Sequence, residues 1–348
     1  MHMADALVSP AVGGVMWLAT AGVAAYSARK VAKELDESKV PLMGVLGAFI
    51  FSAQMINFTI PGTGSSGHLG GAMILAILLG PHAAFLTIAS VLTIQALFFA
   101  DGGLLALGCN IFNLGFFPCF IAYPLLYKQI VGLRPTQKRL FLGATAASII
   151  GLQLGAFAVV LETISSAISD LPFTTFVLLM QPIHLAIGIV EGLVTTAVIC
   201  FVWQERPEII QKAAVSESLG NLTIRPVLVG LLVLTVFTGG VLSWFASSAP
   251  DGLEWSLAKA TGVEELQEPE GGIYGILVTA QKKVAFLPDY NFKATAEESV
   301  VSVPKVKAEE SWPAVNSGTS TAGIVGALIT LLLAGVIGKG LQLVMKRN

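Results

Sequence analysis

Eight stretches of this chain, roughly 10–28, 41–59, 82–100, 109–127, 139–164, 174–203, 226–247 and 319–341, are apolar over the length a helix needs to cross a bilayer. No other feature narrows the fold as much, because a backbone in lipid must satisfy its own hydrogen bonds. A ninth run, 69–80, is apolar but short and ends at Pro81, and it reads as a short or re-entrant helix. The fold expected is an all-α integral membrane protein, a polytopic helical bundle of about seven spans followed by two more. Composition agrees: 12% of the 348 residues are charged, where soluble domains carry about 25%. A net charge of -2 offers nothing to a nucleic acid, so the expected surroundings are the lipid bilayer of the cell membrane.

Basic residues set the expected orientation, since Lys and Arg in short loops stay cytoplasmic. With the N-terminus external and 69–80 crossing, four inner segments carry Arg29, Lys30, Lys33 and Lys39; Lys128, Arg134, Lys138 and Arg139; Arg206, Lys212 and Arg225; and Lys339, Lys346 and Arg347. That is 14 of the 20 basic residues, and the short outer loops hold none. The other six, Lys259, Lys282, Lys283, Lys293, Lys305 and Lys307, lie in one long loop, 248–318, and long loops translocate largely regardless of charge. The expected topology is multi-pass, with an external N-terminus and a cytoplasmic C-terminus. The long loop also carries 11 acidic residues, among them Glu264-Glu265, Glu297-Glu298 and Glu309-Glu310. It reads as a small, partly irregular extracytoplasmic unit that either steers cations or is simply solvated.

The three cysteines, Cys109, Cys119 and Cys200, fall in apolar stretches without CxxC spacing, which argues against a disulfide framework or a thiolate metal site. Gly151-x-x-x-Gly155 and Gly188-x-x-x-Gly192 read as close helix contacts. Asp5 comes early and no basic residue precedes the first apolar run, so no cleavable leader is expected. His2 is too bulky to permit methionine removal, so the expected N-terminus is Met1 itself, deformylated.

Met1 and His2 carry a specific chemical possibility. The terminal amine, the His2 backbone nitrogen and the His2 Nδ1 can close two fused chelate rings, of five and six members. A second imidazole completes a square of four nitrogens, the geometry suited to Ni²⁺ and Cu²⁺. His68, in the polar break Gly67-His68-Leu69-Gly70-Gly71, is expected on the same external face as Met1. Taken alone, His2 is equally well explained as chance or as the scar of a purification tag.

Longer motifs bear on that choice. They are Met1-His2-Met3-Ala4-Asp5-Ala6-Leu7-Val8-Ser9-Pro10, then Pro61-Gly62-Thr63-Gly64-Ser65-Ser66-Gly67-His68-Leu69-Gly70-Gly71, then Leu79-Gly80-Pro81. Gln95-Ala96-Leu97-Phe98-Phe99-Ala100-Asp101-Gly102-Gly103 and Leu107-Gly108-Cys109-Asn110-Ile111-Phe112-Asn113 follow. Together they resemble the CbiM/NikM family, the substrate-binding components of energy-coupling factor transporters for cobalt and nickel, over about 1–225. Pro250-Asp251-Gly252-Leu253-Glu254 resembles the signature of the nickel-type accessory component, fused over 226–348 around loop 248–318.

The resemblance implies that the Met1 amine, the His2 amide nitrogen and imidazole, and His68 bind the ion. It implies Ni²⁺ or Co²⁺ as transported substrate, nickel favoured, and no organic cofactor. It also implies two partners: an ATPase subunit of the CbiO/NikO type and a transmembrane coupling subunit of the CbiQ/NikQ type. One departure is Met3-Ala4, where the family more often has Ile followed by Pro or Met; Met3 is expected to pack rather than to reach the ion.

Ligating histidines need neighbours that fix their tautomer. Gln54 and Asn57, expected three residues apart on one face of the second span, and Ser66 beside His68 are the candidates. Asp101, Asn110 and Asn113 belong to the family pattern, but their roles do not follow from sequence. His82 lies on the inner side, and His184 and Glu191 share a face of one span, where a mutual contact or a partner-docking role is open. No GxxxxGK[ST] phosphate loop, nucleophile elbow or HExxH site is present, so the chain is not expected to be an enzyme. The alternative to a transport component is a self-sufficient secondary metal-ion transporter or channel. That class should show carboxylates or histidines along a mid-membrane path and inverted repeats.

Overall fold

A computed structural model describes residues 1–34, 39–132, 135–215, 217–267, 271–293 and 312–347. Arg134, Lys305, Lys307 and the acidic pairs Glu297-Glu298 and Glu309-Glu310 lie outside the described residues.

The protein is a polytopic helical membrane protein. Its helices are α1 (Pro10–Glu34), α2 (Lys39–Gln54), α3 (Ala72–Leu79), α4 (Pro81–Phe99), α5 (Leu107–Val131), α6 (Gln137–Ser166), α7 (Phe173–Glu205), α8 (Pro207–Ala214), α9 (Arg225–Gly240), α10 (Gly252–Thr261), α11 (Gly272–Val284) and α12 (Ser317–Arg347). Among the described residues six of these, α1, α4, α5, α6, α7 and α12, are long and apolar enough to cross a membrane alone. Their outward faces carry apolar side chains such as Leu18, Leu178 and Val336, as does α9 with Val233, as a lipid-facing surface requires.

Each expected span contains a helix, but two stop early. The second ends at Gln54 rather than at 59, and residues Phe58–Ile60 (β1) pair antiparallel with Ser65–Gly67 (β2), in the register Thr59 to Ser66. The span expected over 226–247 ends at Gly240, followed by a 3₁₀ turn, Leu242–Phe245. With 16 residues each, α2 and α9 are about 24 Å long, short of the roughly 30 Å hydrocarbon core. The eight residues of α3 extend only about 12 Å. It is buried throughout and reaches α8. Gly80, at φ 83°, breaks the chain between α3 and α4, and Pro81 opens the new helix where a missing N–H costs nothing. Because α2 and α3 both stop short, β2 and the loop carrying His68 are buried within the bundle, while the hairpin turn at Pro61, Gly62 and Gly64 stays exposed.

The glycine pairs act as expected. A Cβ on Gly192 would stand 2.7 Å from the Thr145 Cα, and one on Gly155 would stand 2.7 Å from the Asn113 carbonyl oxygen, so α6 packs directly on α7 and α5. α9 and α12 flank α2. α10 lies on α7, and α11 lies beside α4.

Candidate metal centre

The first eight residues do not trail in solvent. Met1, Met3, Asp5, Ala6, Leu7 and Val8 are buried, and the Asn110 side chain of α5 and backbone N–H groups of the loop before it hold the segment. Asn110 grips Met3 at both ends: its Oδ1 accepts the Met3 N–H at 2.8 Å and its Nδ2 donates to the Met3 carbonyl at 3.2 Å. Gly103 N–H donates to the same carbonyl, and the Asp5 carboxylate accepts the Ala106 N–H. Only glycine serves at 103, since a Cβ there would fall 1.8 Å from Asp5 Oδ1.

This anchoring sets the Met1 amino group beside His68, with the amine nitrogen 2.7 Å from His68 Nε2. His68 Nδ1 stands 3.1 Å from its neighbour's carbonyl, Leu69 O, and a proton on Nδ1 leaves the Nε2 lone pair facing the amine. Burial, reinforced by the terminal positive charge, lowers the His68 pKa to about 3, so the ring is neutral at physiological pH. The loop behind it is clamped from two helices. Glu191 of α7 accepts the N–H groups of Gly70 and Gly71 at 3.1 and 3.0 Å, while Gln54 Nε2 donates to the Gly70 carbonyl at 2.8 Å.

The His2 ring stacks on the His68 ring at 4.8 Å and 15°. Its Nδ1, the atom a six-membered chelate requires, is turned to Asp101 Oδ1 at 2.8 Å, and its Nε2 is buried without a hydrogen-bond partner among the described residues. Asp101 is in turn held by the Tyr290 hydroxyl at 2.5 Å. Partial burial opposes ionisation of Asp101, but the adjacent His2 and the hydrogen bonds from His2 and Tyr290 keep its carboxyl well below the usual range. The Met1 amine and His68 Nε2 thus stand together, whereas His2 Nδ1 faces Asp101.

The pentapeptide Pro250–Glu254 of the C-terminal unit meets the same amine. Asp251 caps α10 with one oxygen, Oδ1 accepting the N–H groups of Leu253 and Glu254, and Glu254 returns the bond to the Asp251 N–H. Its other oxygen, Oδ2, accepts a very short hydrogen bond from the Met1 amino group and lies 3.9 Å from His68 Nε2. Burial opposes this charge too, and the terminal amine and His68 outweigh it, holding Asp251 below the usual carboxylate range. Burial, reinforced by the Asp251 charge, pushes Glu254 up to about 7. A cavity of about 10 Å³ lies beside Met1 and His68, lined also by His184, Leu152 and Gly252.

Of the three expected outer neighbours, Gln54 braces the His68 loop through the Gly70 carbonyl, whereas Asn57 and Ser66 fall elsewhere. Asn57 is beyond the end of α2, so it shares no helix face with Gln54; its carbonyl accepts the Ser247 N–H. Ser66 donates its hydroxyl to Ala249 O at 2.7 Å and its N–H to Pro250 O, which joins the hairpin to the pentapeptide rather than orienting His68. His184 and Glu191 do not meet: His184 Nδ1 is 2.8 Å from Met180 O, and Glu191 serves the glycine loop. Met3 packs, with its sulfur 4.0 Å from Asn113 Nδ2. The loop, expected either to steer cations or to be simply solvated, puts Asp251, Trp255, Tyr274, Gln281 and Tyr290 onto residues 1–103. Intramembrane cost singled out Glu191 and the pentapeptide singled out Asp251, but neither signal named a partner.

The model of a cobalt uptake substrate-specific transmembrane region, CbiM, matches residues 2–209, and that of a PDGLE domain matches residues 225–343. A protein of Archaeoglobus fulgidus described as a fused nickel transport protein, NikMN, is 30% identical over 96% of this chain and 96% of its own length. A metal transport protein of Haloquadratum walsbyi is 35% identical over 60% of this chain and 93% of its own. The crystal structure of a transition metal transporter matches 61% of this chain and 97% of its own, at 31% identity and a TM-score of 0.53. The matching of residues 2–209 and 225–343 to these two models, with a relative alike along nearly the whole length, makes the assignment: the chain belongs to the CbiM family, with a PDGLE domain fused behind it.

Proposed function

We propose that this chain captures a divalent transition-metal ion, nickel in preference to cobalt, as the substrate-binding component of an energy-coupling factor transporter. The observation that carries this reading is the Met1 amine, buried and 2.7 Å from the neutral Nε2 of His68, with His2 stacked beside it. Two donors at about 2.0 Å from one ion, at right angles, stand about 2.8 Å apart. Met1, His2 and His68 are the ligands in this reading, and a four-nitrogen plane suits Ni²⁺ better than Co²⁺. Gln54 and Glu191 brace the loop that presents His68. Residues 1–225 form the binding unit and 226–348 the accessory unit that closes over it.

The ion is held by groups that must all release it, and the chain carries no phosphate-binding loop, so work is supplied from outside. The expected partners are an energy-coupling ATPase and a transmembrane coupling subunit. The test is Ni²⁺ uptake into proteoliposomes. Accumulation is expected only when both partners and ATP are present. Accumulation driven by this chain alone would establish a secondary transporter instead.

The reading also requires an external site. In a background lacking the native cysteines, Glu264→Cys, on the exposed loop after α10, is expected to react with an impermeant thiol reagent added to intact cells. Asn221→Cys, before α9, is expected to stay unlabelled. The reverse pattern would invert the topology.

A further inference from the structure

We propose that Asp251 is itself a ligand to the incoming ion, holding the coordination position opposite His68 until the His2 amide nitrogen takes it; this rests on the reading of Met1, His2 and His68 as the binding site. The argument starts from how the carboxylate divides its two oxygens. Oδ1 is committed to capping α10, whereas Oδ2 has no role in the helix and is aimed at the Met1 amine. Two of the three separations match a coordination sphere. Met1 N and His68 Nε2, 2.7 Å apart, stand as neighbouring donors, for which about 2.8 Å is expected at metal–donor distances of about 2.0 Å. Asp251 Oδ2 and His68 Nε2, 3.9 Å apart, stand as opposite donors, for which about 4.0 Å is expected. The amine lies between them. Three donors, N, N and O, thus stand near three corners of a square before any ion arrives, and the amine–Oδ2 edge, drawn in by the very short hydrogen bond, opens once the amine gives up that proton.

In the four-nitrogen plane the place opposite His68 belongs to the His2 amide nitrogen, the shared atom of the two fused rings. That nitrogen binds only after its N–H bond breaks, and the His2 ring must first leave Asp101. Asp251 fills the place in the interval. The ion binds the amine, His68 and Oδ2 as the amine yields its proton to solvent. His2 then turns, its amide proton leaves to water, the nitrogen–metal bond forms and the Oδ2–metal bond breaks. An oxygen ligand exchanges readily in this position because it is held by neither chelate ring.

Asp251→Ser tests the idea, since serine still caps a helix but presents no second oxygen to the amine. The whole chain, freed of metal in detergent, is mixed with Cu²⁺ alone as the spectroscopic probe, and its visible band is followed by stopped flow. The native protein is expected to pass through an early species with a longer-wavelength band, from mixed nitrogen and oxygen donors, before the four-nitrogen band appears. Asp251→Ser is expected to lack the early species and to reach the final band about tenfold more slowly, and Asp251→Glu to restore both. An unchanged time course in Asp251→Ser would overturn the proposal. A faster one would too, because it would make the carboxylate an obstacle. Failure of the native protein to develop any four-nitrogen band would instead refute the underlying site.

Discussion

One alanine placed ahead of Met1 is expected to weaken Ni²⁺ binding by about 100-fold or more. The comparison is that changes to groups that merely orient a ligand already cost about 10–100-fold, and here a ligand is removed outright. The added residue shifts the free amine by one position and replaces it with an amide, so the five-membered ring with the His2 nitrogen is lost. The protein cannot compensate by sliding. Asn110 and Gly103 fix the Met3 backbone, the Asp5 carboxylate is tied to Ala106, and the cavity beside Met1 measures only about 10 Å³. Calorimetry on the two purified proteins measures the difference, with an alanine added after Asn348 as the control. Equal affinity in the two N-terminal forms would eliminate the chelate.

His2→Ala and His68→Ala are each expected to abolish high-affinity binding, a loss above about 100-fold by the same comparison. His82→Ala is expected to leave affinity where it is, because that ring sits among Tyr26, Ser27 and Phe120, away from the amine. Glu191→Gln belongs between the extremes, at about 10–100-fold. An amide has one acceptor oxygen where the carboxylate uses two on Gly70 and Gly71, so the loop beneath His68 loosens. The same calorimetric titration ranks all four. Should His184→Ala prove as damaging as His68→Ala, the ion would have to lie deeper, on the far side of the small cavity.

The helices were readable because crossing lipid imposes a local condition, about 20 apolar residues in a row, that shows in hydropathy without knowledge of any neighbour. It fails at the ends. Residues 55–59 are apolar enough to extend α2, yet Phe58–Ile60 find backbone partners in Ser65–Gly67, and pairing there ends the helix. Asn57 was misplaced for the same reason, since its assignment to a helix face assumed the helix was still running.

The candidate ligands were legible for a related cause. Terminal amine, amide nitrogen and imidazole belong to two consecutive residues, so their chelate rings follow from covalent geometry alone. What surrounds them does not. Asp251 reaches the Met1 amine across 250 positions, Glu191 reaches the Gly70–Gly71 loop across about 120, and Tyr290 reaches Asp101 across 189. No periodicity records such contacts, because they depend on how α7, α10 and the loops pack once the spans are assembled. Sequence by itself determined a helical membrane chain with a nitrogen-rich N-terminus, through terms that act between near neighbours. Only the tertiary structure decided that a carboxylate from the fused unit meets that terminus and that a membrane-embedded glutamate holds the histidine, through contacts between residues the chain keeps far apart.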